Sequence, residues 1–409
     1  QTTNINVFVD KLDDKKPRAP GTPPFFFSSS NVDIKESKFQ YIDENLENEQ
    51  ALLFNNLNII GNDLQILGPD VSTDIQEMSF LSKRGIQVEQ MSTRFKYTRE
   101  QMRFDSLQIK TPLSNLDGNV VFNYNREDFV DFLNKVSLEA SFEESTVAFD
   151  EINLLYNEFG KGKLATFSAN LNGVLNDLNT NDLFLFSDNT GIRGDFNFKN
   201  LFNKQKPFAL DAKMKNVTSN YYQLNALLPN LVGNSLPSSF SKLGQFTIRG
   251  DALITNSSID AKVNLNTAVG SSYTDLVLTN FNNIDDATYK GFVSLIDFDL
   301  GDFVGSTAVG KTTLDFNVEG KGFVQEKLNT EVTGQVYSIE FNRYAYKDLK
   351  VSGILKDELF DGSLTSSDRN FRFDFQGLAD FGKDRNNFNF QANVAYADLK
   401  ALNFINDSV

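Results

Sequence analysis

Apolar and polar residues alternate with a period of two along much of the chain. In FRFDFQG, the residues Phe371, Phe373 and Phe375 take every second position, and charged or amide side chains stand between them. Successive side chains of an extended strand point to opposite faces, so such a run predicts a strand with one apolar and one polar face. The same pattern recurs in three further sets: Ile259, Val263 and Leu265; Leu314, Phe316 and Val318; Phe388, Phe390 and Val394.

Turn-forming residues separate these runs at short intervals. Examples are TNSS at 255–258, NTG at 189–191, SSDRN at 366–370 and GKDRN at 382–386. Asn, Asp, Ser and Gly favour tight turns because they accept unusual backbone angles or bond to their own backbone. The sequence therefore predicts an all-β protein, built as a long series of hairpins.

Helical periodicity is confined to two short segments. Phe129, Phe132, Leu133 and Val136 follow the spacing of one helix face after Asp128, as do Leu224, Leu227, Leu228, Leu231 and Val232 before Gly233. Both segments predict brief helices that pack on a sheet or cover its end.

Two regions of the chain differ in composition and in the regularity of their strand pattern. Residues 1–150 contain a proline-rich stretch, KKPRAPGTPP at 15–24, and one of the predicted helices. Residues 151–409 are uniform, and the segments 164–198 and 328–364 share an order of strand, glycine and strand. We predict a continuous region of repeated hairpins over 151–409, preceded by an N-terminal β segment over 1–150.

Composition narrows the function. The chain of 409 residues has 54 acidic and 39 basic residues, a formal charge of −15, no cysteine and no histidine. This charge disfavours nucleic acid as a partner. The absence of histidine and cysteine removes the commonest general base, the commonest metal ligand and the thiol nucleophile, so we predict neither catalysis nor a cofactor.

One segment matches the phosphate-binding expression G-x-x-x-x-G-K-[ST]. It is GSTAVGKT, with Gly305, Gly310, Lys311 and Thr312 at the fixed positions. A working phosphate loop needs a helix to leave it, because the helix N-terminus faces the phosphate. Here the alternating run TTLDFNVEG follows, so the segment is interpreted as a connection between strands and not as a nucleotide site.

Acidic residues offer no convincing metal or catalytic site. Asp297, Asp299 and Asp302 lack the glycine and glutamate spacing of a calcium loop and are interpreted as solvated strand carboxylates. No metal site is predicted.

The stretch 346–404, YKDLKVSGIL to ADLKALNF, resembles the recurring unit of TamB-like proteins, the AsmA-related envelope proteins with bridge-like lipid transfer, in the form seen in Bacteroidota. Residues 221–251, 310–323 and 57–126 agree with this resemblance, which extends over nearly the whole chain.

The resemblance implies a periplasmic section of a cell-envelope protein, whose inner-membrane anchor lies outside this sequence. It implies an elongated, curled sheet with a U-shaped greasy groove. It also implies phospholipid as ligand and an outer-membrane barrel of the TamA/BamA type as a partner of the parent chain.

Three functions stay open. The first is a conduit whose groove carries phospholipid acyl chains between the two membranes; its candidate lining is the set of alternating residues Ile259, Val263, Leu265, Leu314, Phe316, Val318, Phe371, Phe373, Phe375, Phe388, Phe390 and Val394. The second is a scaffold or chaperone for outer-membrane β-barrel proteins or autotransporters. The third is a carbohydrate-active β-solenoid. Periodicity alone favours a plain protein core for these residues, whereas the resemblance favours a groove.

Overall fold

The computed structural model describes residues 24–41, 52–155, 159–203, 205–229, 238–281, 283, 286–323, 327–380 and 387–405. Residues 15–23 of the proline-rich stretch lie outside this part of the chain. The fold is all-β, as predicted: the strands form one antiparallel sheet of 21 strands that is not closed.

The chain consists of two compact units. Gln1–Asp188 and Asp195–Lys206 belong to the first unit, and Asn189–Gly194 and Pro207–Val409 to the second. The strands up to β10 are β1 Phe26–Tyr41, β2 Leu52–Leu67, β3 Asp70–Ser82, β4 Gln87–Tyr97, β5 Gln101–Lys110, β6 Asn115–Asn123, β7 Ser137–Ala148, β8 Leu164–Val174, β9 Asp177–Ser187 and β10 Thr190–Lys199. The later strands are β11 Ala209–Asn220, β12 Gln245–Thr255, β13 Ser258–Thr267, β14 Gly270–Thr279, β15 Thr288–Asp299, β16 Val309–Lys321, β17 Asn329–Phe341, β18 Tyr344–Lys356, β19 Leu359–Ser367, β20 Phe371–Asp380 and β21 Phe388–Ala397.

Strand pairing follows chain order in both units. From β1 to β9, and again from β11 to β21, each strand pairs antiparallel with the next one. Short connections make this order natural, because a hairpin brings consecutive strands together at little entropic cost.

A recurring β-bulge interrupts the register. At Asp297 on β15 the backbone φ is 47°, and the backbone N–H donates to Oγ1 of Thr313 on β16 at 3.1 Å. At Ser106 on β5, φ is 52° and the N–H donates to Oδ1 of Asn119 at 2.9 Å. The same arrangement pairs Glu36 with Asn58, Glu144 with Ser168, and Asp182 with Asp195. A bulge bends its strand and increases the twist, and the neighbouring side chain satisfies the displaced donor.

Short helices lie at strand ends. A 3-10 turn, Arg126–Asp131, and helix α1, Phe132–Lys135, confirm the helical segment predicted near Phe129; α2 is Phe149–Ile152. The second unit contains α3 Tyr221–Leu227, a 3-10 turn Ser238–Leu243, and α4 Leu300–Val304. Helix α3 confirms the predicted helix at Leu224, and Leu231 and Val232 of that prediction lie outside the described residues.

The interpretation of Asp297, Asp299 and Asp302 as solvated strand carboxylates was partly wrong. Asp302 lies in helix α4 and not on a strand. Asp299 caps this helix by accepting a hydrogen bond from the Asp302 N–H at 2.9 Å. Gly305 ends it in the left-handed conformation, with φ of 81°.

Candidate functional site: the apolar face of β12–β21

Register aligns apolar side chains of successive strands on one face of the sheet. The central row of this face consists of Val263, Thr274, Val293, Phe316, Gly334, Val351, Leu364, Phe375 and Ala392, each paired with the next across neighbouring strands. We call this side of β12–β21 the apolar face. Paired residues share a face, so the row is a continuous cross-strand line.

All the candidate lining residues belong to the apolar face. One flanking row contains Val318 and Phe390, and the next contains Ile259 and Phe388. On the other side of the central row lie Leu265, Leu314, Phe373 and Val394, with Phe371 one step beyond.

Exposure differs along this face. Phe388, Phe390 and Val394 on β21 are exposed, with Phe390 at 49%. Leu314 is buried at 7%, and the other candidates are half-buried. Phe316 and Phe371 pack against the buried cluster that contains Leu314, whereas the three β21 residues do not belong to it. At β21, large apolar side chains therefore stay in contact with solvent, which is typical of surfaces that receive a ligand or partner.

The opposite face, called the polar face below, carries ion pairs between neighbouring strands, together with exposed apolar residues such as Val277 on β14 and Ile354 on β18. Lys262 and Asp275 form an ion pair at 2.9 Å across β13 and β14, and Lys290 and Glu319 form one at 2.7 Å across β15 and β16. The pKa of each lysine is raised because its ammonium group donates a hydrogen bond to the neighbouring carboxylate. The two faces thus differ in chemistry over the same strands.

Three glycines leave a stretch of the apolar face next to β21 without side chains. Gly353, Gly362 and Gly377 are paired in register across β18, β19 and β20. A Cβ on Gly353 or Gly362 would lie 2.9 or 3.0 Å from the ring of Phe360. That ring therefore occupies the space that glycine leaves open, an arrangement that protects exposed glycine backbone in sheets.

The C-terminal turn, residues 398–404, covers one end of the apolar face. Asp398 begins the turn by accepting a hydrogen bond from the Ala401 N–H at 3.0 Å. Leu402 is completely buried in a cluster with Leu314, Val336, Tyr346 and Leu349. Leu314 consequently packs against protein here.

A cleft of about 290 Å³ lies at the opposite end of these strands. Its floor is formed by Leu276, Val293, Val318, Val332 and Leu355, which belong to β14 through β18. Phe323 and Leu328, from the connection between β16 and β17, line it from the other side. The cleft is therefore the place where the apolar face gains a partial roof.

Tyr289 holds that roof in place. Its ring lies 4.8 Å from the ring of Phe323, centroid to centroid, and its hydroxyl donates to the Gly322 carbonyl oxygen at 3.3 Å. The same hydroxyl shares a hydrogen bond with the buried hydroxyl of Thr330. Burial raises the pKa of Tyr289 above its ordinary value of 10.0, and the hydrogen bond with Thr330 offsets part of that rise.

Replacing Tyr289 with phenylalanine should destabilise the chain by about 1–3 kcal/mol at neutral pH, because Thr330 loses its buried partner. The raised pKa means that the unfolded state releases the Tyr289 proton first, so the advantage of wild type shrinks as pH rises above 10.0. Urea unfolding of both proteins at neutral and alkaline pH measures this difference. A constant difference across that range would contradict the assignment.

The phosphate-loop expression has a different backbone context from a nucleotide site. Gly305 ends α4, and Lys311 and Thr312 lie on β16, which confirms the predicted strand. The Lys311 N–H donates to the Glu340 carboxylate at 3.2 Å, and Thr312 is buried. The helix precedes this segment and a strand follows it, the reverse of the order in a phosphate loop, where a strand leads in and a helix leads out.

The described residues show neither a metal-binding cluster nor a membrane-spanning helix. In the described ranges, no group of three or more acidic side chains is placed to hold a metal ion. None of the helices in that same part of the chain is long and apolar enough to cross a bilayer.

Several residues of the site have no distinctive sequence signal. Leu355 directly follows Ile354, so alternation does not assign it to a face, whereas Val332 stands between Glu331 and Thr333 and could be found by the same periodicity as the candidates. Phe323 and Leu402 lie in connections without alternation, so only the folded chain brings them to the apolar face.

Comparison with family models, with curated proteins and with solved structures finds no match for this chain. The fold and the site therefore define only the class of protein. It is an antiparallel β protein whose single sheet is not closed, and the second unit carries one continuous apolar face.

Proposed function

We propose that the apolar face of β12–β21 conducts phospholipid acyl chains, as a non-enzymatic section of an envelope protein that links the inner and outer membranes. The observation that carries this proposal is the partly exposed row of apolar side chains, aligned by register from Val263 to Ala392 and flanked on β21 by the exposed Phe390. The resemblance of residues 346–404 to TamB-like proteins supports the choice of lipid and of the periplasm.

The chemistry of the face suits a mobile chain. Removing one methylene group from water contributes about 0.8 kcal/mol, wherever along an apolar row the group lies. The central row contributes mostly hydrocarbon side chains, and the ion pairs lie on the opposite face. An acyl chain can therefore slide by one strand without breaking a hydrogen bond, whereas fixed polar anchors would hold a ligand in one place.

A photo-crosslinking experiment tests the proposal at two distant strands. A photoreactive phenylalanine analogue replaces Val263 on β13 or Phe390 on β21, and the purified chain is mixed with vesicles containing a labelled phospholipid. The matched controls are the neighbours Asn264 and Asn389, which are exposed on the polar face. We expect roughly tenfold more lipid capture at Val263 and Phe390, the ratio that burial of about two methylene groups provides.

Equal capture on both faces would indicate general adsorption and contradict conduction along the apolar face. Capture at only one of the two strands would contradict a continuous path. Crosslinks to unfolded outer-membrane proteins with no lipid on either strand would favour the scaffold function instead.

A further inference from the structure

We infer that the cleft between Phe323 and the strands β14–β18 is a stationary binding site for a single unbranched acyl chain. This inference rests on the proposed function and adds a place where a moving chain pauses. It requires that the cleft be apolar, that its hydroxyl groups be occupied, and that it contact a chain on more sides than the remainder of the apolar face does.

The lining of the cleft excludes polar and charged ligands. Leu276, Val293, Val318, Val332 and Leu355 supply a floor of hydrocarbon only. The two hydroxyl groups in the lining, those of Tyr289 and Thr330, bond to each other, and Tyr289 also donates to Gly322. A ligand that brought its own donor or acceptor would lose its bonds to water and gain none, so the fitting occupant is hydrocarbon.

The shape of the cleft favours one chain. Its volume of about 290 Å³ lies at the lower limit of small-molecule sites. Val318 and Val332 are directly paired across β16 and β17, and Val332 is paired with Gly353, so the floor crosses neighbouring strands at one level. A slender, flexible chain suits a narrow space of this size.

The roof distinguishes this place from the open face. The Phe323 ring packs at an angle of 39° against the ring of Tyr289, whose hydroxyl is fixed by Gly322 and Thr330. A chain in the cleft contacts the floor and the roof together. If the roof removes the surface of about two more methylene groups from water, binding is about tenfold tighter than on the open face.

Val332→Trp tests the inference, because the large ring fills the cleft from its floor. Thr333→Trp is the matched control: it is the next residue of β17, and its side chain is exposed on the polar face. Phe323→Ala is a second variant that removes the roof from an exposed position and leaves every strand intact. The probe is palmitate carrying a fluorescent label, titrated into each folded variant.

We expect Val332→Trp and Phe323→Ala to weaken palmitate binding about tenfold or more, and Thr333→Trp to leave it unchanged. Equal affinity in wild type, Val332→Trp and Phe323→Ala would overturn the stationary site. If lipid were still captured at Val263 and Phe390, that result would leave conduction standing. Absence of palmitate binding together with absence of lipid capture at both strands would overturn the site and the proposed function alike.

Discussion

Replacing Leu402 with alanine is expected to cost about 2–5 kcal/mol, the range for deleting a fully buried leucine side chain. Leu402 is completely buried among Leu314, Val336, Tyr346 and Leu349, and its loss leaves a cavity between the C-terminal turn and the sheet. The side-chain amides of Asn342 and Asn403 also bind the turn to the sheet, each donating to the backbone carbonyl oxygen of the other residue, at 3.5 and 3.2 Å. Local opening should therefore accompany the loss of stability.

Hydrogen exchange of the backbone amides of β16–β18, together with urea unfolding, measures this effect. Leu399→Ala is the control, because Leu399 belongs to the same turn and is 47% exposed. Its stability change should stay within about 0.5 kcal/mol, as for ordinary surface positions. Similar losses in the two variants would show that Leu402 does not anchor the turn.

The second large effect is expected for Gly377→Ala. Gly377 has φ of 133°, and an added Cβ would lie 2.4 Å from the Asn389 carbonyl oxygen and 2.5 Å from the Phe390 Cα. Both contacts are with the backbone of β21, so the strand itself has to move. The strained backbone angle and the overlap together predict a loss of about 2–5 kcal/mol and weaker pairing of β20 with β21.

Gly85→Ala separates the two causes. Gly85 has φ of 89°, and an added Cβ there would meet no atom within 4 Å. Only the cost of the left-handed conformation applies, about 1 kcal/mol. Thermal unfolding of both variants compares them directly. If Gly85→Ala were as damaging as Gly377→Ala, the close approach of β21 would not be the reason for glycine at 377.

The strands and their two faces were predictable because a strand exposes its period directly in the sequence. Phe316 and Phe375 alternate with polar neighbours, and the structure places both in the central row. The row itself was not predictable, since it depends on how each strand is shifted against the next. A bulge such as that at Asp297 changes this shift by a local backbone angle, which period-two patterning does not encode.

The sequence also did not indicate which residues of the apolar face are covered by other parts of the protein. Leu314 alternates as clearly as Phe316, yet Leu402 lies over it from a turn that is distant in sequence. Helix α4 escaped prediction because its five residues span little more than one helical turn, too short for a periodic signal. The phosphate-loop expression is an opposite case, in which a sequence signal is present without the structure it usually marks. Its residues match the motif, but the segment follows a helix and leads into a strand.

Neighbour-to-neighbour pairing has a consequence for how such a chain can change in length. From β12 to β20 each strand pairs with the strands before and after it in sequence, so duplication of a whole hairpin inserts two strands and restores the original chain direction. Duplication of a single strand would reverse the polarity of everything that follows. Growth in pairs of strands is therefore the inexpensive evolutionary route to a longer apolar face.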